Sequence, residues 1–190
     1  MFRSGLLVMI ITMVSRVLGL VRAGIIAYYF GASAMTDAFF SAFKISNFFR
    51  QLLGEGALGS SFIPLYNERV ESEGEENSKQ FIYSILNLLF VFSTIVTILM
   101  IIFSQGIIDG IVSGFPDETK IIASRLLKIM SVYFVFISLS GMVCAILNNF
   151  KQFAVPASTS IFFNLAIILA SMYFGKTYGI DALAYGVVIG

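Results

Sequence analysis

Long apolar stretches follow one another along this chain, with short polar segments between them. Three of the stretches hold no charged residue at all: Phe81–Phe103, Ile129–Asn149 and Gln152–Gly175. Each is close to or above the ~20 residues that a helix needs to cross a 30 Å hydrocarbon core. The pattern therefore predicts membrane-spanning helices.

Two further stretches near the start are equally long but carry charges. Residues 5–30 contain Arg16 and Arg22, and residues 37–66 contain Asp37, Lys44, Arg50 and Glu55. An Arg or Lys at the centre of a membrane helix costs roughly 2.5–3.5 kcal/mol, so such residues normally face a polar cavity or a partner. The charges predict a water-filled, net-positive cavity inside a membrane protein.

The predicted fold is an all-α integral membrane protein, a polytopic helical bundle over residues 1–190. The six predicted spans are 5–30, 37–66, 81–108, 119–147, 152–175 and 181–190, the last of them cut off in mid-helix. The one long polar segment is 67–79. It is predicted to be a solvated loop or surface helix, or alternatively a regulatory or docking surface.

Composition narrows the class of protein further. The chain is 58% hydrophobic and 12% charged, whereas a soluble domain has about 25% charged residues. A net charge of +1 without a basic run gives no sign of a nucleic-acid partner. With no His and the single cysteine Cys144, the chain has no disulfide framework and no His-based metal site. We expect neither a metal nor a cofactor.

The basic residues of the short loops predict the orientation, because cytoplasmic loops are enriched in Lys and Arg. Placing the N-terminus in the cytoplasm puts four basic residues inside: Arg3, Arg69, Lys79 and Lys151. Lys120 and Lys176 then lie outside. The bias favours a cytoplasmic N-terminus.

The charges of the first two spans allow two interpretations. Helical geometry places Asp37, Lys44 and Glu55 on one stripe of the second span. The charges could pair internally, Arg22 or Lys44 with Asp37, and only fix helix packing. Alternatively, the surplus of positive charge binds an anion, since guanidinium groups grip phosphates through bidentate hydrogen bonds.

Two glycines, Gly19 and Gly24, interrupt the first span. Glycine permits close packing of helices or a bend within one helix. We therefore expect Gly19 and Gly24 to allow close packing of the first span or to provide a hinge in it.

Three segments resemble one known family. They are SRVLGLVR at 15–22, TDAFFSAFKISNFFRQLLGEGALGSSFIP at 36–64 and AILNNFKQFAVPA at 145–157. The chain is similar in these segments to the MurJ (MviN) family of bacterial lipid II flippases, within the multidrug/oligosaccharidyl-lipid/polysaccharide exporter superfamily. The resemblance implies fourteen helices in two lobes, of which this chain is most of the first.

The same resemblance implies a function without covalent chemistry, so the protein is not an enzyme. Members of the family move lipid II, the undecaprenyl-pyrophosphate-linked peptidoglycan precursor, from the inner to the outer leaflet by alternating access. The implied setting is the bacterial inner membrane, with membrane lipids as neighbours and a monomeric full-length protein.

Site residues follow from the matched motifs. The resemblance implies that Arg16, Arg22 and Arg50 receive the pyrophosphate. It also implies that Asp37 and Glu55, with Lys44 on the same stripe, line or gate the cavity. The chain departs from the family pattern at three positions: Ala23 in place of Asp, Ser46 in place of Pro, and Gln51 in place of a common second Arg. The missing Asp makes the cavity more positive.

Other functions compete with this one. A polysaccharide-lipid flippase or a drug/cation antiporter of the same superfamily would share the fold, but a cation antiporter should offer a net-acidic cavity. A membrane enzyme acting on lipid-linked phosphates should carry paired catalytic acids or a His, and His is absent from the chain.

Overall fold

The computed structural model describes residues 2–50 and 58–190, and within these ranges the chain consists of helices joined by short turns. The helices are α1 (Phe2–Phe30), α2 (Ala34–Arg50), α3 (Leu58–Glu73), α4 (Glu75–Ile102), α5 (Ser104–Ile111), α6 (Asp117–Asn149), α7 (Ala154–Tyr178) and α8 (Asp181–Ile189).

Four of these helices are long and apolar enough to cross a membrane: Gly5–Phe30, Ser78–Ile102, Asp117–Asn149 and Ala154–Tyr178. They match four of the six predicted spans. Helix α2 has 17 residues and α8 has nine, so both are shorter than a full span. The predicted all-α, multi-pass membrane protein is confirmed.

The helices differ from the predicted spans at several ends. The stretch 81–108 is divided, since α4 ends before Phe103 and α5 begins after it. Helix α6 has 33 residues, roughly 50 Å at 1.5 Å per residue, and therefore exceeds the ~30 Å core. Asp117 and Glu118 begin α6 before its apolar segment, where acidic residues interact favourably with the helix dipole. A search for apolar runs does not detect such extensions.

The charged stretch 37–66 is described as two helices, α2 and α3, on either side of residues 51–57, which lie outside the described residues. The polar segment 67–79 is helical on both sides of Gly74, whose φ of 83° favours glycine. The segment is thus the end of α3 followed directly by the start of α4, which agrees with the prediction of a surface helix.

Helix α6 is at the centre of the bundle and contacts α2, α3, α4, α5, α7 and α8. Its fully buried side chains include Leu126, Leu127, Met130 and Phe134. Leu126, Leu127 and Met130 form the main hydrophobic core with residues of α2, α4, α7 and α8. The core thus fixes the helices that surround the candidate site.

Small residues bring α7 and α8 into close contact. A Cβ at Gly186 would lie 2.9 Å from Cβ of Ala170, and one at Gly190 would lie 2.8 Å from Cβ of Ala166. Both distances are too short for real Cβ atoms. Gly186 on α8 and Gly190, which follows the last residue of α8, meet the Ala166–Ala170 pair on α7 in the small-xxx-small contact typical of membrane helices.

Helix α1 packs mainly against α7. The Nδ2 of Asn164, on α7, donates to the carbonyl oxygen of Ser15 at 3.2 Å and to that of Ser160 at 2.9 Å. Gly19 faces the Asn164 side chain, and a Cβ there would lie 4.0 Å from Asn164 Oδ1, an ordinary van der Waals distance. A polar residue in the apolar span of α7 thus joins two helices.

One buried hydroxyl group of α2 has no hydrogen-bond partner in the described part of the chain. Ser46 is fully buried, and its Oγ neither donates nor accepts. An unsatisfied buried polar group costs about 1–3 kcal/mol. We expect Ser46→Ala to raise the free energy of unfolding by about 1 kcal/mol. The measurement is denaturant-induced unfolding of the purified full-length protein.

Ser138→Ala is the matched control for this prediction. Ser138 is equally buried on α6, but its Oγ donates to the carbonyl oxygen of Phe134 at 2.7 Å. Removing a satisfied hydroxyl group should be neutral or destabilising. Equal destabilisation by both substitutions would contradict the assignment of an orphaned hydroxyl at Ser46.

Candidate cationic cavity

A cavity of about 720 Å³ lies between α1, α2, α6, α7 and α8. Its volume is within the ~300–1,000 Å³ typical of ligand-binding pockets. The lining combines one cation with polar and aromatic side chains, among them Arg22, Phe43, Asn47, Tyr133, Ser140, Ser160 and Phe163.

Arg22 is the charged residue among the described lining residues. It lies in the second half of α1 and is half-buried. Its guanidinium carbon lies 5.8 Å from the centroid of the Phe163 ring, within the range of a cation–π contact. The Phe163 ring thus holds the arginine at the cavity and leaves the N–H groups of its guanidinium available as hydrogen-bond donors.

The arginine has no carboxylate partner in residues 2–50 and 58–190. The ion pairs seen in the described ranges lie away from the cavity. Arg125 Nη2 is 3.0 Å from Asp181 Oδ1, and Lys120 Nζ is 3.7 Å from Asp117 Oδ1. Neither Arg22 nor Lys44 pairs with Asp37 within these ranges. The internal pairing considered for these charges is therefore not formed in this conformation.

The other charges expected at the site lie away from the cavity or outside the described part. Arg16, Asp37 and Lys44 are exposed and do not line it. Asp37 lies in the first turn of α2, where a negative charge interacts favourably with the helix dipole. Arg50 ends α2, with its side chain outside the described part, and Glu55 lies within the undescribed residues 51–57.

The two glycines expected to form a hinge differ in surroundings. Gly19 faces Asn164, and Gly24 is exposed with no atom within 4 Å of a Cβ built on it. Helix α1 continues through both without a break. Neither glycine is required by a close contact in this conformation, and the hinge stays a prediction.

The aromatic side of the cavity was missed by sequence reasoning. Phe43, Tyr133 and Phe163 belong to three different helices, and no local spacing links them. One signal was available. Asn164, a polar residue in a charge-free span, marked an inward face of α7, and Phe163 is its neighbour.

The fold and the cavity define a class: a multi-pass helical membrane protein with a cationic, partly open pocket between its helices. Comparison with known proteins gives the family. The family model described as lipid II flippase MurJ matches residues 26–190. The chain belongs to the lipid II flippase MurJ family, which confirms the resemblance seen in the three motifs.

Individual relatives agree with the family model. A probable lipid II flippase MurJ of Buchnera aphidicola subsp. Acyrthosiphon pisum (strain APS) is 42% identical over 187 residues, covering 96% of this chain and 37% of the relative. One of Aquifex aeolicus (strain VF5) is 39% identical over 191 residues, covering 100% and 38%. The chain thus spans little more than a third of these relatives.

A solved structure shares the fold. The lipid II flippase MurJ in an inward closed conformation superposes with a TM-score of 0.85 at 36% identity, covering 97% of this chain and 39% of that one. The arrangement of helices described above is therefore that of part of a MurJ flippase.

Proposed function

We propose that this chain is the N-terminal lobe of a lipid II flippase. In this proposal the cavity takes the pyrophosphate of lipid II as the headgroup crosses from the inner to the outer leaflet. A second lobe, in the part of the relatives that this chain does not span, would supply the opposite wall and complete the fourteen-helix, two-lobe transporter. The protein moves its substrate by alternating access and acts as a transporter, not as an enzyme.

The observation that carries the proposal is Arg22. A half-buried guanidinium lines a pocket between the helices, and no carboxylate in the described ranges neutralises it. A cation in a membrane helix is costly unless it meets water or a partner. An anionic ligand is such a partner, and guanidinium donors match phosphate oxygens geometrically. The test is lipid II translocation by the full-length protein with Arg22 replaced.

Arg16 and Arg50 have a different part in this proposal. Arg16 lies on the exposed side of α1, about 1.7 turns before Arg22, and Arg50 ends α2. We place them at the pyrophosphate in another conformation of the transport cycle, with Asp37, Lys44 and Glu55 at the cavity rim or gate. Rotation or bending of α1 near Gly19 and Gly24 would bring Arg16 inward.

The substrate class distinguishes this proposal from its rivals. A drug or cation antiporter needs acidic groups that bind a cation, whereas the described lining carries a single arginine and no carboxylate. A polysaccharide-lipid flippase would also use a cation for pyrophosphate, but relatives named lipid II flippase favour the peptidoglycan precursor.

We also propose a location and an orientation: the bacterial inner membrane, with the N-terminus and the α3–α4 junction in the cytoplasm and lipid molecules around a full-length monomer. The junction is polar and exposed, with Asn67, Glu68 and Glu71 on its surface. Arg69 and Lys79 flank it, in agreement with the enrichment of basic residues in cytoplasmic segments.

Cysteine labelling of intact cells tests this orientation. In a Cys144→Ala background, Glu71→Cys should resist a membrane-impermeant maleimide, because it lies at the cytoplasmic end of the bundle. Ser113→Cys, exposed in the turn after α5 at the opposite end, should react. Both should react after permeabilisation, which controls for accessibility. The reverse labelling pattern in intact cells would contradict the orientation.

A further inference from the structure

We propose that Phe163 is a positioning residue, which holds the Arg22 guanidinium in the cavity so that its donors face an anionic phosphate group. This inference rests on the proposed function. It adds to the family's expected arginines a residue that neither charge nor motif singled out.

The contact between the two side chains has the geometry that the inference requires. The guanidinium carbon of Arg22 is 5.8 Å from the Phe163 centroid, and both residues line the cavity. The face of an aromatic ring carries partial negative charge and attracts a cation without accepting conventional hydrogen bonds from it. The ring therefore fixes the cation and leaves its N–H groups available.

A carboxylate in the same place would act differently. It would accept two of the guanidinium's hydrogen bonds and neutralise the charge. An arriving pyrophosphate would then have to displace it. Since Arg22 has no carboxylate partner in the described ranges, the ring is the group that orients the side chain before the substrate binds.

The ring is itself held by aromatic neighbours on two other helices. Phe163 stacks on Phe43 of α2, with centroids 6.1 Å apart and an interplanar angle of 18°. Tyr133 of α6 lies against it at 5.8 Å. Phe43 in turn stacks on the buried Phe39 at 5.8 Å. Phe163 thus cannot turn without disturbing α2 and α6.

The backbone at Phe163 is fixed as well. A Cβ at Gly190, the residue after α8, would lie 3.0 Å from the Phe163 Cα, so the end of α8 packs directly on this part of α7. The next residue, Asn164, joins α7 to α1 through Ser15. These contacts hold α7 beside α1 at the point where the Phe163 ring meets the arginine.

The test measures binding of undecaprenyl pyrophosphate to the purified full-length protein in nanodiscs. Phe163→Leu should weaken binding by about three- to tenfold, the range of a partly desolvated cation–π contact. Phe163→Tyr, which keeps the ring face, should bind within about twofold of wild type. Phe174→Leu, on the exposed side of α7 and outside the cavity, is the matched control and should bind as wild type.

Two further variants separate positioning from packing. Trifluorophenylalanine at position 163 keeps the shape of the ring but removes most of its negative face, so it should weaken binding as leucine does. In an Arg22→Gln background, Phe163→Leu should cause no additional loss, because the arginine through which it acts is gone.

The outcomes distinguish this inference from the proposed function. Unchanged binding with trifluorophenylalanine, or an equal loss from Phe163→Leu with and without Arg22, would overturn the positioning role. If Arg22→Gln alone bound undecaprenyl pyrophosphate as tightly as wild type, the proposed function of the cavity would be wrong instead.

Discussion

Arg22→Ala should nearly abolish lipid II translocation by the full-length protein while leaving its membrane abundance close to wild type. Removing one member of a buried, hydrogen-bonded charge pair costs about 2–5 kcal/mol, so transport should fall on the order of a hundredfold. Abundance should hold because Arg22 forms no ion pair in the described ranges. Arg22→Lys should restore only part of the activity, since an ammonium group lacks the bidentate fork.

The assay is lipid II translocation in cells depleted of their own flippase, normalised to the amount of protein in the membrane. Lys176→Ala is the matched control. It removes an exposed cation in the last turn of α7, outside the cavity, and should transport normally.

A double substitution tests the competing explanation. If Arg22 served only to pair with Asp37 in another conformation, Arg22→Ala would leave an uncompensated acid, and Arg22→Ala with Asp37→Ala would recover both abundance and transport. We expect no recovery, because Asp37 is exposed at the start of α2 and no contact joins it to Arg22 within residues 2–50 and 58–190. Restored transport would show that the arginine is structural.

Gly186→Val should sharply lower the amount of folded protein. A Cβ at this position would already lie 2.9 Å from Ala170 Cβ and 3.0 Å from Ile167 Cα, so α8 must move away from α7. Overpacking of this kind costs typically about 1–3 kcal/mol, and valine adds two methyl groups beyond the Cβ. The measurement is the melting temperature and yield of the purified full-length protein in detergent.

Gly106→Ala and Gly186→Ala form the matched pair for this prediction. Gly106 is also helical, on α5, but has no atom within 4 Å of a Cβ built on it. Alanine there should be neutral or mildly stabilising, because it favours helix over glycine. Alanine at 186 should destabilise. Equal melting temperatures for the two alanine variants would disprove the close contact of α7 and α8.

The fold was predictable where length and hydropathy decide it. An uninterrupted apolar run such as Phe81–Phe103 forms a helix in a bilayer, because only a helix lets the backbone of a single segment form all its hydrogen bonds internally. The ends of helices were less predictable. The break at Phe103 and the extension of α6 to Asn149 depend on packing and on residues outside the hydrocarbon, where helix and loop differ little in free energy.

The site was predictable only in part. Charge in an apolar span identified both Arg16 and Arg22, since each is costly there. It could not decide which of the two faces the cavity, because that depends on where α7 lies against α1. The contribution of Phe163 could not be foreseen either. A phenylalanine in an apolar run gives no sign of function by itself. Its role follows only from its contacts with residues of three other helices.

The contact between α1 and α7 has a consequence for the biogenesis of the protein. Ser15 and Asn164, which join the two helices, are 149 positions apart in the chain. Synthesis from the N-terminus therefore delivers α1 to the membrane long before its main neighbour has emerged from the ribosome. During that interval the apolar part of α1 carries Arg16 and Arg22 without the helix that shelters one of them, at roughly 2.5–3.5 kcal/mol for each that reaches the bilayer centre. The insertion of α1 thus relies on its own apolar residues, and the arrival of α7 secures it.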